Sequence, residues 1–314
     1  MMSEDRNQSA VVVFILLGFS DYPDLQIPLF FLFLIIYMVT VMGNLGMIII
    51  IRINTKLHTP MYFFLSHLSF VDFCYSTGVT PKLLEILVVE DRRISFACCI
   101  SQYFFTATSV LIEACLLAVM AYDRYVAIRD PLLYMVIISQ KRCMLLVTGS
   151  YVWGITSSFI FTYSLIRLSF CGTNIINNFL CEYSVLLSAS CSDKHISEMI
   201  LFILANFNVF STLITVLMSY ILIFFTIINM QTATGRIKAF STCASHLTAI
   251  CIFYGSLLFL YCVPSSKNSW LIVKVTTVFY TVVIPMLNPL IYSLRNKDVK
   301  ETVKKLMGTN IVSF

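Results

Sequence analysis

Apolar residues run along this chain in long blocks, not in the alternation of a half-buried strand or the one-sided stripe of a surface helix. Seven blocks reach the roughly 20 residues that a helix needs to cross a hydrocarbon core of about 30 Å. They cover approximately residues 26–51, 60–80, 95–122, 143–166, 197–229, 237–263 and 271–294. Ten-residue alternating segments, the mark of a membrane barrel, do not occur. The pattern predicts an all-α membrane protein: a seven-transmembrane helix bundle over 26–294, an N-terminal segment 1–25, and a tail 295–314. The fifth block exceeds what a span needs, which predicts a tilted helix or one that runs past the membrane.

Composition sharpens the class. The 314 residues are 59% hydrophobic and 12% charged, against roughly 45–50% and 25% in a soluble domain. No soluble sphere hides that excess, so a water-soluble enzyme or a disordered regulator is excluded. The net charge of +5 is spread thinly, and the absence of a Lys/Arg block argues against nucleic acid. With the N-terminus outside, the inner segments hold 13 basic residues (Arg52, Lys56, Arg124, Arg129, Lys141, Arg142, Arg236, Lys238, Arg295, Lys297, Lys300, Lys304, Lys305) and 4 acidic ones. The outer segments hold 8 basic and 10 acidic residues. The positive-inside rule therefore predicts a multi-pass plasma-membrane protein with an extracellular N-terminus and a cytoplasmic C-terminus. The apolar run at 10–19 follows Glu4 and Asp5 and lacks a small-residue cleavage site, so no cleaved signal is expected. Asn7-Gln8-Ser9 is the chain's one Asn-X-Ser/Thr sequon, and on the outer side Asn7 is an expected glycosylation site.

Six of the eleven cysteines (Cys74, Cys115, Cys143, Cys243, Cys251, Cys262) fall in or beside the blocks, where a thiol serves as small apolar packing. Cys98, Cys99, Cys171, Cys181 and Cys191 lie on the oxidising outer side, where disulfides are expected. Five is odd, so two bridges leave one thiol, and spacing alone leaves the pairing open.

Several segments carry a family resemblance. They are Gly43-Asn44; Leu57-His58-Thr59-Pro60-Met61-Tyr62-Phe63-Phe64-Leu65-Ser66; Met120-Ala121-Tyr122-Asp123-Arg124-Tyr125-Val126-Ala127-Ile128; and Ser219-Tyr220. Two more follow, Lys238-Ala239-Phe240-Ser241-Thr242-Cys243-Ala244-Ser245-His246-Leu247 and Pro285-Met286-Leu287-Asn288-Pro289-Leu290-Ile291-Tyr292-Ser293-Leu294-Arg295-Asn296. In this order and spacing the chain resembles a vertebrate odorant receptor of the rhodopsin-like G-protein-coupled class, and the anchors span nearly its whole length. Arg129-Asp130 departs from the Cys-His pair common there, and Cys98 stands where the family has Gly. The resemblance implies bridges Cys99–Cys181 and Cys171–Cys191, with Cys98 left over. It implies volatile odorants as ligands, and a stimulatory, olfactory-type G protein that raises cAMP as partner.

Charges at membrane depth are costly and usually functional. Asp72 lies about 18 Å along its helix from Pro60, and Glu113 about 16 Å from Arg124, so the two carboxylates share a depth. Both cannot easily be ionised without a cation between them. The resemblance points to a sodium ion there, with Asn44 and Asn288 around it; the alternative is a structural pair sharing one proton. At the inner boundary, Arg124 beside Asp123 offers a guanidinium that a carboxylate can hold or release. The resemblance makes Asp123, Arg124 and Tyr125 the G-protein switch, with Tyr220, His246 and Tyr292 repacking around it. Pro285 and Pro289 permit a bend in the seventh span, and Asn288 is expected to satisfy the groups they free. In the tail, Val299, Val303, Leu306 and Met307 share one side with Lys297, Lys300, Lys304 and Lys305 around them. That spacing predicts a short amphipathic helix on an anionic leaflet.

Steps of three or four residues outward from these anchors pass Val110 and Thr106 on the third span. On the sixth they pass Tyr254, Leu257 and Tyr261, and on the seventh Thr281 and Val278. The resemblance adds Ala107, Leu111, Leu204, Asn208 and Leu258. A cavity lined this way suits a small, mostly uncharged organic ligand oriented by one or two hydrogen bonds, although each residue equally suits plain bundle packing. The outer third of the third span has no carboxylate, which disfavours an amine-hormone receptor. The middle of the seventh has no lysine, which excludes a retinal Schiff base. A transporter would show an internal repeat, and an intramembrane enzyme a motif such as His-Glu-X-X-His. Neither occurs, and no enzymatic activity is expected.

Overall fold

The computed structural model describes residues 13–89, 91–170, 174–262, 270–295, 299 and 302. Helices dominate: α1 (Pro23–Ile53), α2 (Pro60–Val88), α3 (Phe96–Arg129), α4 (Tyr134–Ile137), α5 (Gln140–Ile166), α6 (Tyr183–Ala189), α7 (His195–Ile228), α8 (Ala233–Cys262), α9 (Trp270–Val278) and α10 (Ile284–Arg295), with a π-helical turn Phe279–Val283 joining the last two. The seven expected spans correspond to α1, α2, α3, α5, α7, α8 and the composite α9–α10. Prolines open two of them: Pro23 and Pro60 occupy first-turn positions, where the missing N–H is not needed. Ser95 caps α3 by accepting from the Cys98 backbone N–H at 3.3 Å.

Among the described helices, six are long and apolar enough to cross a membrane; α2 is not among them. Ser66, His67, Ser69, Asp72, Ser76, Thr77 and Thr80 dilute its apolarity. It packs against α1, α3, α5 and α10, so most of these polar positions, though not the exposed Thr77, meet protein in place of lipid. The other helices turn large apolar side chains outward, with Phe202, Leu145 and Ile27 each about 70% exposed. That belt would be costly in water and is satisfied by hydrocarbon. Inside, α5 approaches α3 so closely that a Cβ at Gly154 would lie 2.6 Å from Ile112 Cγ1.

Three short strands were not legible in the apolar pattern. β1 (Val13–Leu16) lies between β2 (Arg93–Ser95) and β3 (Ile175–Ile176), antiparallel to the first and parallel to the second. Phe14 and Leu16 are fully buried against Ile94, Phe96, Phe170 and Ile176. Part of the 1–25 segment is therefore structural lining over one end of the bundle, termed here the sheet end. The bridge Cys99–Cys181 fastens the loop after α5 to the head of α3 at that end.

The seventh span is shaped by its prolines. Pro289 has no N–H to give the Pro285 carbonyl four residues back. Asn44 Nδ2, from α1, donates to that carbonyl at 3.0 Å. Asn288, expected to serve this purpose, faces the bundle interior one residue earlier and bonds elsewhere. The proline approaches α1 closely: a Cβ at Gly43 would lie 3.2 Å from Pro289 Cγ.

Asn7, Cys171, Lys297, Lys300, Val303, Lys304, Lys305, Leu306 and Met307 lie outside the described residues, as does the Tyr261 side chain. Of the tail, Val299 is buried, and Thr302 accepts from Asn54 Nδ2 at 2.7 Å, against the end of α1. Cys191 is disulfide-bonded, and Cys98 is a free, exposed thiol.

Candidate functional site

At the sheet end, α2, α3, α5, α7, α8 and the π turn line a partly open cavity of about 240 Å³, roofed by residues 180–184. Its size falls just below the roughly 300–1,000 Å³ of sites for drug-sized ligands. The cavity brings together six residues expected from the sequence: Thr106, Ala107, Val110, Leu111, Asn208 and Leu257. Five others lie elsewhere. Leu204 packs into the apolar cluster beneath the sheet. Leu258 is 51% exposed on the bundle exterior, because one residue beyond Leu257 turns the side chain about 100° around the helix. Tyr254 is buried edge-on to Phe253. Val278 packs beside Tyr75 and Val79, and Thr281 is fully buried with its hydroxyl on the Thr277 carbonyl.

Sequence reasoning missed Tyr75, Tyr103, Phe161, Leu180, Glu182, Tyr183, Ser184, Leu201, Ala205, Val209 and Tyr280. Two causes account for the most consequential of these. The π turn adds a residue to one helical turn, so stepping outward from Asn288 by threes and fours reaches Thr281 where Tyr280 faces the cavity. The roof residues flank Cys181, so the implied bridge was the one available signal for them.

Most polar groups in the cavity wall are already engaged. Thr106 donates to the Gln102 carbonyl. Asn208 accepts from Trp153 Nε1 at 2.5 Å and donates to the Leu204 carbonyl at 2.8 Å. Tyr183 donates to the Ser197 carbonyl at 2.9 Å. Gln102 Oε1 accepts from the Cys181 backbone N–H at 3.2 Å, which pins the roof beside the disulfide. Glu182 Oε1 accepts from the Tyr280 hydroxyl and, at 3.4 Å, from the Thr277 hydroxyl. Burial pushes the Glu182 carboxyl above its usual range, and these two hydrogen bonds partly oppose that shift.

Seven residues further along α3 from Thr106, about 10 Å on the helix scale, Glu113 enters a second polar cluster. Asn288 Nδ2 donates to Asp72 Oδ2 at 2.9 Å and to Glu113 Oε1 at 3.1 Å. Asp72 Oδ1 and Asn44 Oδ1 are buried with no partner among the described residues. Among those residues no three His, Cys, Asp or Glu side chains gather as a metal cluster. What the cluster offers is oxygen: two carboxylates and an amide carbonyl, donors that suit a small hard cation and not a transition metal.

At the far end of α3 the expected pairing is replaced. Asp123 Oδ1 accepts from the Tyr134 hydroxyl of α4 at 2.7 Å. Arg124 Nη2 instead reaches the Met61 sulfur of α2. Successive residues on a helix point about 100° apart, so Asp123 and Arg124 do not face each other. Tyr125 receives the guanidinium of Arg129, which also lies 3.6 Å from Asp130; the unusual Arg129-Asp130 pair is engaged locally on the surface. Tyr220 Oη and His246 Nδ1 are 2.8 Å apart and link α7 to α8. Tyr292 is buried close by in the core cluster that Tyr220 borders. A larger hollow of about 850 Å³ at this end, lined by Arg52, His58, His67 and Tyr151 among others, contains none of the expected ligand residues.

Comparison with known proteins gives one consistent result. The family pattern described as "Olfactory receptor" matches residues 33–310. The chain is 63% identical to human Olfactory receptor 5D18 over 314 residues, covering 100% of both chains. It is 62% identical to human Olfactory receptor 5D13 over 312 residues, 99% of each. It is 60% identical to mouse Olfactory receptor 1165 over 307 residues, 98% of this chain and 97% of the relative.

Proposed function

The chain belongs to the olfactory receptor family, and from that premise we propose that it binds small volatile organic molecules in the cavity roofed by residues 180–184 and activates a stimulatory G protein that raises cAMP. It is a multi-pass membrane receptor of the G-protein-coupled class and not an enzyme. The observation that carries the ligand reading is the cavity itself: a small, partly open space with mainly apolar walls, whose polar groups are few and mostly spent. Such a site favours an apolar ligand body and leaves orientation to one or two contacts. In this reading the sheet end faces outward, the C-terminus lies in the cytoplasm, and Arg124 meets the G protein.

A single helix connects the parts. α3 presents Thr106, Ala107, Val110 and Leu111 to the ligand, Glu113 to the carboxylate cluster, and Asp123, Arg124 and Tyr125 to the inner end. A ligand that fits one packing of these side chains better than another shifts the population between them. Asp72 and Glu113, with Asn44 and Asn288 beside them, would hold a sodium ion whose charge offsets one of the two carboxylate charges, relieves their repulsion and favours the resting packing. Outward movement of α8 would separate Tyr220 from His246 and open the inner end to the partner, with Asn288, Pro289 and Tyr292 following on α10.

The test is a cAMP readout in cells against a panel of volatile ligands. Val110→Trp, which fills the cavity, is expected to abolish ligand responses at normal surface density. Arg124→Ala is expected to abolish cAMP production. Responses that persist in both variants, or a ligand-evoked current without a G protein, would overturn the proposal.

A further inference from the structure

Among the described residues, the wall of the cavity carries one formal charge, and it does not come from a spanning helix. Glu182 follows Cys181, whose bridge to Cys99 and bond to Gln102 hold the loop over the cavity. Among the described residues that line the space there is no Lys, Arg or His. The outer third of α3 holds no carboxylate, which by itself disfavours amines; the disulfide brings one in from the loop.

We propose that Glu182 is the anchor of this cavity and that its ligands are small amines. The apolar body lodges among Ala107, Val110, Leu111 and Leu257, and the protonated nitrogen is held by the Glu182 carboxylate. The inference rests on the reading that this cavity is the ligand site, and it narrows that reading from any small volatile molecule to one class. Three features carry it. Both described hydrogen bonds to Glu182 fall on Oε1; among the described residues Oε2 accepts none, so a donor entering the cavity finds an open acceptor. The amide of Asn208 and the hydroxyls of Thr106 and Tyr183 are committed within the protein, and the Tyr75 hydroxyl, unpartnered among the described residues, carries no charge, so Glu182 is the strongest contact on offer to a cation. A carboxylate set in mainly apolar walls without a counter-ion is unfavourable, and an entering cation relieves that cost. A carboxylic acid ligand, by contrast, would bring like charge to Glu182 with no cation to receive it. The raised Glu182 pKa fits a carboxylate that lacks a cationic partner.

The experiment uses the full-length receptor in cells with a cAMP reporter and surface labelling. The probes are straight-chain primary amines from pentyl to octyl, with alcohols and carboxylic acids of matched length. Amines are expected to act at lower concentration than the matched alcohols, and acids to be inert. Glu182→Gln should raise the half-effective amine concentration at least tenfold and shift the alcohols less than about threefold, while Glu182→Asp, which keeps the charge, retains the preference for amines. The proposal is overturned if no amine activates the parent, if acids match amines, or if Glu182→Gln reaches the surface with amine potency unchanged. The ranking in the parent needs no variant, so a Glu182→Gln chain that fails to reach the surface does not shelter the proposal. Amine responses lost in Val110→Trp but kept in Glu182→Gln would retain the cavity and remove Glu182 as anchor. Responses kept in Val110→Trp would remove the cavity reading itself.

Discussion

Asp72 on α2 and Glu113 on α3 accept hydrogen bonds from the same atom, Nδ2 of Asn288, at 2.9 and 3.1 Å. Both carboxylates are buried, at 0% and 2% exposure. One amide group thus joins three helices through two buried acids. Removing this shared donor leaves two buried carboxyl oxygens without their partner, at a cost of about 1–3 kcal/mol each. Asn288→Ala should therefore lower the unfolding temperature of the detergent-solubilised receptor markedly. Adding Asp72→Asn and Glu113→Gln to that background should recover much of the loss, because neutral amides can bond each other. An unchanged melting curve for Asn288→Ala would show that the cluster is not a structural joint.

The same pair gives a test of the ion. With purified receptor in nanodiscs, replacing potassium by sodium at constant ionic strength should lower basal nucleotide exchange on the G protein and weaken agonist potency. Glu113→Gln, which removes one of the two charges, should flatten both dependences. Equal sodium responses in parent and variant would leave the proton-sharing pair as the better account.

Asn44 supplies the hydrogen bond that Pro289 cannot give to the Pro285 carbonyl. Asn44→Ala leaves that buried carbonyl without its donor, which costs about 1–3 kcal/mol. Gly43→Val adds bulk where a single Cβ already lies 3.2 Å from the Pro289 ring. Both variants should reduce thermal stability in a fluorescence-detected unfolding assay, and Gly43→Ala should lose less than Gly43→Val, since only the nearer atom must be accommodated. Equal stability of all three would mean that α1 and α10 are not held together at this contact.

External pH should separate amines from alcohols. Burial raises the Glu182 pKa, and the ionised form is the one that pairs with an ammonium group. As pH falls through that raised pKa, the carboxylate takes a proton and the ion pair is lost, so amine potency should drop. The groups around it are Thr277 and Tyr280 from the seventh span, Tyr75 from α2, Tyr103 from α3 and neighbouring Tyr183; phenols and hydroxyls do not change charge in the acidic range. Alcohol potency should stay level, and Glu182→Gln should flatten the amine curve. A concentration–response series between neutral and mildly acidic medium decides it.

The parts of the site legible in the sequence are those tied to one helix. Thr106, Ala107, Val110 and Leu111 sit on a face that α3's 3.6-residue period fixes once Arg124 is placed, and they line the cavity as expected. Stepping along the seventh span failed at Thr281 because a π turn shifts the register, and nothing in a local pattern announces such a turn. Leu258, taken from the resemblance, lies outside because its helix rotation is set by neighbours. Asp123 and Arg124 are neighbours in sequence, yet adjacent residues diverge on a helix, and Tyr134 and Met61 from other elements receive them.

The chain's order of apolar blocks alone determined a helical bundle. In lipid each backbone N–H and C=O must find its partner within its own segment, so a span's helical state is a local matter that length and hydropathy settle. Which side chains from different segments meet is a matter of distance in space. Only the packed structure brought Glu182 over the cavity, gave Asn44 to the Pro285 carbonyl, set Asn288 between two acids and folded part of the N-terminal segment into a sheet. Those contacts join residues far apart in sequence, and no period along one helix encodes them.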